Sequence, residues 1–591
     1  MIGNRALACW LGWLGLSLCG SAAPAADWPQ WGGSDGKNMV SEEKGLPDSF
    51  VPGEKDPQGA GIKMETTKNV KWVARLGGLT CSTPTVAGGK VFIGTMRDEQ
   101  GAFLCLDEKT GKTLWQWVAP ARQVPATMDG RRFEFGRFPK QLGICSTAAV
   151  DGDRVYIVTQ RLEVLCLGTS GRPKGSGASA PAASPPQGAA EKTPADPPAK
   201  GKGEKAPGEK VPWPEPEREA DVVWMFDIWD LGVRPSDACD CSVVVRGDFV
   251  YALTANGTDR QAELAAHDEF RKCPAPTAPN LVVLDKKTGR LVAVDDVLIA
   301  PRMLHGQWSS PSLGQVGGKT LVFFGGGNGI CYAFEAPPRG GDVPTLRGAG
   351  GMPTPPLRGH VPAEGENMPG ERRGGHATLL KKVWSCDCDP AEYKACGGMD
   401  MILHYCLGDR RRSDALNKAG DGTFVGMSEI IATPVFHKGR VYVAIGRDPE
   451  HGRGRGALWC IDPSKTGDIT ETGKVWCYQG LDRSLSTVSI ADGLLYVADV
   501  AGRLHCLDAE TGKVHWVHET NSKVWGSTLV ADGKIYMPTD KGLFVLAAGK
   551  EAKPLGKINL GAPMWASPVA ANGVLYVAST RYLWAVQAKG E

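Results

Sequence analysis

The chain has no adjacent pair of cysteines, no C-x-x-C-H, and no G-x-S-x-G, H-E-x-x-H or phosphate-loop motif in a fitting context. The missing C-x-x-C-H excludes a covalently held c-type haem of its own. The other absences leave no ready-made hydrolase, zinc-peptidase or nucleotide site. An excess of one charge is also lacking. The formal net charge is +2, too small to argue for nucleic acid or an acidic surface as a general partner. Long apolar runs are confined to the first residues, so no transmembrane span is expected.

That first run reads as an export signal. Arg5 precedes the apolar stretch Ala6 to Leu18, and small residues follow at Ala22 to Ala26. Cleavage is expected near Ala25 or Ala26, giving a periplasmic or secreted protein. The segment Leu16-Ser17-Leu18-Cys19 has the outline of a lipoprotein signal, but Leu18 is bulky where a small residue belongs. Export without a lipid anchor is therefore the expectation.

What is abundant is repetition. Trp72, Trp115, Trp224, Trp384, Trp476 and Trp516 recur at one position of a unit of about forty residues, the period of a propeller or solenoid. Each copy has a Ser/Thr-rich opening, a two-residue turn, a β-rich run, an L-x-C-L-D-like strand and a closing strand with Trp. The openings begin at Cys81, Cys145, Asp240, Trp308, Ile431, Leu485, Trp525 and Trp565, giving eight copies. The last copy ends at Glu591 one strand short, and Asn69 to Leu76, with Trp72, supplies the missing strand. The expected fold is all-β, an eight-bladed propeller over 69–591, after a signal peptide over 1–26 and an extension over 27–68. A monomer is expected.

The turns Gly88-Gly89, Gly152-Asp153, Gly247-Asp248, Lys438-Gly439, Asp492-Gly493, Asp532-Gly533 and Asn572-Gly573 suit the positive φ of tight hairpins. With strands A to D running from axis to rim, D–A and B–C connections share one face, and A–B and C–D connections share the other. The low-complexity stretches 168–212 and 337–378 are C–D insertions and read as disordered loops. The better-patterned insertions 122–143, 254–280, 298–307, 386–427 and 446–456 fall on the D–A/B–C face, where function is expected because loops carry it.

Of seventeen cysteines, Cys9 and Cys19 lie in the leader. Cys105, Cys166, Cys460 and Cys506 share a repeat position with Val283, Ala333, Val545 and Ala585, which marks a small buried slot. Cys386, Cys388, Cys396 and Cys406 fall in one insertion. Their spacing suits one or two disulfides better than zinc, and their pairing is open.

Two residues into strand A, every copy carries a hydroxyl: Thr83, Thr147, Ser242, Ser310, Thr433, Thr487, Ser527 and Ser567. Repetition in every blade points to blade-to-blade packing more than to a ligand funnel. Asymmetry points to function. Asp240 is the only charge among the strand-A starts, and Trp308, Trp525 and Trp565 offer stacking faces near it. His305, Gln307, Arg447, Glu450 and His451 add polar groups from loops of the same face, where Arg447 can pair an anionic ligand stacked on Trp308. No catalytic set and no metal set is assigned. The partner expected there is a protein, a glycan or another small molecule.

The segment Asp107-Glu108-Lys109-Thr110-Gly111-Lys112-Thr113-Leu114-Trp115, repeated at Asp508 to Trp516, resembles the repeats of pyrroloquinoline-quinone (PQQ)-type propellers. Asp27-Trp28-Pro29-Gln30-Trp31-Gly32-Gly33 is similar to the mature start of secreted members from planctomycete-type bacteria. The resemblance implies that the repeat Trp docks each blade on the next. It also implies two kinds of function. One is a non-enzymatic scaffold of outer-membrane protein assembly. The other is an alcohol or sugar dehydrogenase that uses PQQ and calcium, with an adjacent Cys-Cys disulfide against the quinone. Here the nearest pairs, Cys239/Cys241 and Cys386/Cys388, are each split by Asp. A binding or scaffolding module of the cell envelope is therefore the first expectation, with the dehydrogenase and a glycan reader as alternatives.

Overall fold

A computed structural model describes residues 26–57, 61–120, 142–176, 213, 215–235, 239–257, 275–299, 306–338, 377–391, 428–446 and 455–588. Among these residues the strands form seven sheets, and the largest is two four-stranded antiparallel ladders joined at their rims. The join is a short parallel pairing of Arg218 and Glu219 with Trp115 and Gln116. Counted as four-stranded ladders, or blades, the units number eight, and their innermost strands start at Thr85, Ala149, Val244, Ser312, Val435, Ser489, Leu529 and Val569. In the first blade the strands are Thr85–Ala87, Lys90–Arg97, Gln100–Asp107 and Thr113–Val118. The eighth is completed from the other end of the chain, where Val70–Arg75 pairs antiparallel with Tyr582–Val586.

Tight turns hold the inner hairpins. Lys438, Asp492, Asp532 and Asn572 have φ of 46, 51, 51 and 52°, each followed by a glycine that is also in the left-handed region. Two consecutive positive φ values match the right-handed twist of the flanking strands. The innermost strands are shorter than the sequence pattern suggests. Only Thr85–Ala87 and its counterparts belong to the ladders, and the residues before them bond to neighbouring blades instead.

Those bonds circle the axis. The backbone N–H of Thr147 donates to Ser242 Oγ (2.9 Å) and that of Ser242 to Ser310 Oγ (2.9 Å). Thr433, Thr487 and Ser527 donate in the same way to Thr487, Ser527 and Ser567 (3.2, 2.8 and 2.8 Å). Ser567 N–H then reaches Thr83 Oγ1 at 3.0 Å, joining the last blade to the first. At the two remaining joints Ser82 Oγ donates to Ser146 O (2.8 Å) and Ser309 Oγ to Ala432 O (3.1 Å). The repeated hydroxyls are blade-to-blade fasteners, because an innermost strand has no fifth strand to satisfy its N–H groups.

The rim is fastened by tryptophan. Indole N–H groups of Trp72, Trp115, Trp224, Trp384, Trp476 and Trp516 donate to Glu108, Thr169, Lys286, Pro463, Ala509 and Gly549 carbonyls of the following blade, at 2.9 to 3.2 Å. Inside a blade each ring also meets an aromatic two strands away, as in Tyr442–Trp476 (6.0 Å between centroids) and Phe323–Trp384 (5.7 Å). The residue between them, Cys460 or Ala333, pairs with both partners across the ladder. That is the cause of the small slot: a larger side chain would separate the two rings.

The D-x-x-T-G turn completes the joint. Asp508 Oδ1 accepts from Thr511 N–H (2.9 Å) and Thr511 Oγ1 (2.8 Å), fixing the turn. Gly512 then sits at φ 72°, where a Cβ would lie 2.7 Å from the Trp476 ring. Gly512→Ala combines a strained φ with a collision. It should cost about 2–3 kcal/mol in urea unfolding, and a loss under about 0.5 kcal/mol would refute this reading of the turn.

The extension over 27–68 is not a separate unit. Trp28 bridges Val86 of the first blade, and Val150 N–H of the second donates to Pro29 O (2.7 Å). Asp35 pairs with Arg246 of the third, and Asp35 O accepts from Leu313 of the fourth. Gly36 O accepts from Phe436, Asn38 bonds Ile490, Val40 and Ser41 pair with Val530 and Ala531, and Glu43 accepts from Asn572 and Gly573. One short strap thus touches all eight blades in ring order on the A–B hairpin face, and it buries Trp28, Met39 and Leu46.

Lys37 lies inside this strap. It is fully buried, and its amine donates to Gln30 Oε1 at 3.0 Å, while Gln30 Nε2 donates to Asp35 Oδ1 at 3.0 Å. Burial pushes its ammonium down from 10.5 to about 7, with Asp35 opposing. The unfolded chain then binds the proton more tightly, so stability rises with pH between about 7 and 10.5, by up to about 1.4 kcal/mol per pH unit. Lys37→Met should remove that slope, measured as the difference from wild type in urea midpoints across the window. Equal slopes in the two proteins would mean that Lys37 does not titrate there.

Candidate functional site

The eight strand-A starts ring the D–A/B–C end of the axis. Antiparallel order puts them there, opposite the strap. In ring order they run Trp525, Trp565, Cys81, Cys145, Asp240, Trp308, Ile431 and Leu485. Seven of them keep some exposure, Cys145 being the buried one, whereas the residues that follow each are buried. This alternation is what an innermost strand imposes: one residue faces the axis and the next faces the neighbouring blade.

The ring is two-sided. Trp525 and Trp565 stand together, with ring centroids 6.1 Å apart and planes tilted by 43°. Trp308 comes from the fourth blade and Trp565 from the eighth. Trp308 lies over Gly306, where a Cβ would come within 2.6 Å of its ring. Asp240 is exposed in the blade before that of Trp308, and the Cys145 thiol of the second blade feels both its carboxylate and the Cys81 thiol of the first. These two groups and burial push the Cys145 thiol well up, Cys81 being the largest cause.

Gln307 lies just before Trp308 in the chain. It is fully buried, its carbonyl accepts from Cys241 Sγ at 3.3 Å, and its side-chain amide has no hydrogen-bond partner among the described residues. It belongs to the wall of the mouth, not to its exposed surface. His305, Arg447, Glu450 and His451 lie outside the described residues, as do Cys396, Cys406 and most of the two low-complexity stretches. The strand Glu163–Pro173 extends into the first of these stretches. Cys386 and Cys388 are free and buried, and Cys386 is in register with Cys331. A bridge to Cys331 rather than within the insertion was not considered from the sequence.

Calcium and a quinone are the cofactors that the resemblance to PQQ-type propellers implies. A hard cation takes six to eight oxygen ligands, yet the groups around Asp240 include the Cys145 thiol, with Cys239 and Cys241 beside it in the chain. No group of three or more His, Cys, Asp or Glu among the described residues is placed to hold a metal ion. The described groups around Asp240 do not make up the oxygen set of a calcium ion.

Sequence reasoning missed a second polar cluster on the same face. In the sixth blade Asp499 accepts from its own turn at Arg503 N–H (3.0 Å) and Arg503 Nε (2.8 Å). His505 joins it to the Tyr478 hydroxyl of the fifth blade, with 3.0 Å on each side. Against the effect of burial, hydrogen bonds from His505 and Arg503 hold the Asp499 carboxyl below the usual carboxylate range. The sequence signal was present at His505, a polar residue at a strand position where other repeats carry Leu104, Leu165, Val282, Phe544 and Trp584.

Comparison with known proteins places these features in context. Residues 56–133 and 455–590 match the family model described as outer membrane protein assembly factor BamB. No curated protein sequence matches the chain. Solved structures that resemble it include BamB from Moraxella catarrhalis, at 12% identity and a TM-score of 0.47, covering 87% of this chain and 98% of that one. A europium-containing methanol dehydrogenase aligns at 10% identity and a TM-score of 0.49, covering 94% and 89%. Quinohemoprotein alcohol dehydrogenase from Comamonas testosteroni aligns at 11% and 0.41, covering 97% and 82%.

Proposed function

We propose that this PQQ-like repeat β-propeller protein is a binding or scaffolding module of the cell envelope, exported by the leader over 1–26. Its partner docks at the D–A/B–C end of an eight-bladed ring. The observation that carries this reading is the division of labour at the axis. Repeated hydroxyls are used up in blade-to-blade bonds, while the residues facing the axis differ from blade to blade and include three half-buried tryptophans. Half-buried aromatics at a rigid mouth are typical anchors for a partner's apolar groups. The strap occupies the other face of the axis, which leaves the loop-rich end as the approach. Among the described residues no helix is long and apolar enough to cross a membrane.

Affinity capture from an envelope extract tests this, run beside an assay for dye reduction by alcohols and sugars with added quinone and calcium. The reading expects a defined protein retained at the ring and no turnover. Turnover without a retained protein would overturn it in favour of a dehydrogenase.

A further inference from the structure

The cysteines at the mouth are unlike the others. Four buried thiols fill the slot beneath the repeat tryptophans, and burial pushes Cys166 and Cys506 there up to about 12. Such thiols are inert. Cys81 and Cys145 sit elsewhere, at the axis-facing position where other blades carry Trp, Ile, Leu or Asp. They come from the first and second blades. Ser82 Oγ donates to Ser146 O across that joint at 2.8 Å, so the residues just before them stand side by side at one register. The Cys81 thiol and the Asp240 carboxylate of the third blade both act on the Cys145 thiol and raise its pKa. Cys145 Sγ also lies 3.6 Å from Leu142 O, which holds it in the wall. Cys81 is part-exposed at the mouth. Among the described cysteines only Cys477 shares that exposure, and it lies on the outermost strand of the fifth blade.

We propose that Cys81 and Cys145 form a reversible dithiol–disulfide site at the mouth of the ring, oxidised by small disulfides that reach the part-exposed Cys81. The Cys81 thiolate attacks one sulfur of R–S–S–R, a new S–S bond forms on Cys81, and the first R–S⁻ leaves. Cys145 passes its proton to the Asp240 carboxylate and attacks the Cys81 sulfur, and the second R–S⁻ leaves. Two protein thiols are oxidised and one external disulfide is reduced to two thiols. The exposed thiol attacks first because thiolate character and access both set exchange rates, and Cys145 lacks both. The product staples the first two blades at the axis. These blades are already paired at their rims through Arg218 and Trp115, so oxidation would tie one pair of blades at both ends. This site rests on the thiol geometry and not on the identity of any docking partner.

Glutathione disulfide is the probe. The reduced, folded chain is treated with it, quenched with iodoacetamide, and mapped by mass spectrometry without reduction. Wild type should yield a linked peptide pair holding Cys81 and Cys145, with the slot cysteines fully alkylated only after denaturation. Cys145→Ser should instead retain glutathione on Cys81, and Cys81→Ser should leave Cys145 unmodified. Thermal melts of both variants check that they fold, and the wild-type map needs no variant. The proposal is overturned if wild type carries a stable glutathione adduct on Cys81 with no linked pair. It is equally overturned if Cys81 stays free, or if another cysteine is linked first.

Discussion

Removing the strap up to Leu46 should lower the melting temperature more than any single substitution in the ring. The deleted segment buries Trp28, Met39 and Leu46, an apolar contribution on the order of 5–9 kcal/mol. It also leaves backbone groups at Val150, Leu313 and Phe436 without their present acceptors. Each is an innermost-strand N–H close to the axis, where water replaces a lost bond poorly. Part of the loss is offset because the strap no longer has to be ordered. Differential scanning calorimetry of the chain starting at Pro47 reads the result. A melt within a few degrees of the parent would show that the strap merely lies on a ring complete without it.

Trp115→Ala should destabilise the ring by about 3–5 kcal/mol, the cost of truncating a buried aromatic, whereas Trp308→Ala should change stability by less than about 1 kcal/mol. Trp115 is fully buried, donates to Thr169 O at 3.0 Å, and meets Phe92 and Phe103 rings at 6.0 Å each. Trp308 is half-buried at the mouth. Trp516 keeps the same repeat position but is only part-buried. Its truncation should cost less than that of Trp115. Urea midpoints of the three variants give the order, and equal losses at Trp115 and Trp308 would erase the distinction between scaffold and mouth.

The repeat made the fold readable because each recurring residue has one local task. Trp at the rim, Gly beneath it, a hydroxyl at the axis and a small slot between two rings all follow from geometry that every blade shares. Strand closure by Val70–Arg75 was readable for the same reason, since its Trp72 keeps the repeat position. The strap was not. It has no periodicity, and its partners lie up to several hundred residues away, as with Asn38 and Ile490. Nothing local in the sequence shows that Lys37 is enclosed. At the mouth, residue types were legible and their angular placement was not used. Counting blades from Trp308 to Trp565 separates them by half a turn, and counting from Cys81 to Cys145 makes them neighbours.

In the function proposed above, residues repeated in every blade hold the ring, while the unlike residues at its mouth bind. The direct measurement is partner retention from an envelope extract by wild type and by a Trp308→Ala/Trp525→Ala/Trp565→Ala variant, compared at matched thermal stability. The variant is expected to melt close to wild type and to retain the partner at least about tenfold less, the effect of losing aromatic anchors worth about 1.4 kcal/mol or more. Undiminished retention by a folded variant would contradict the proposed function.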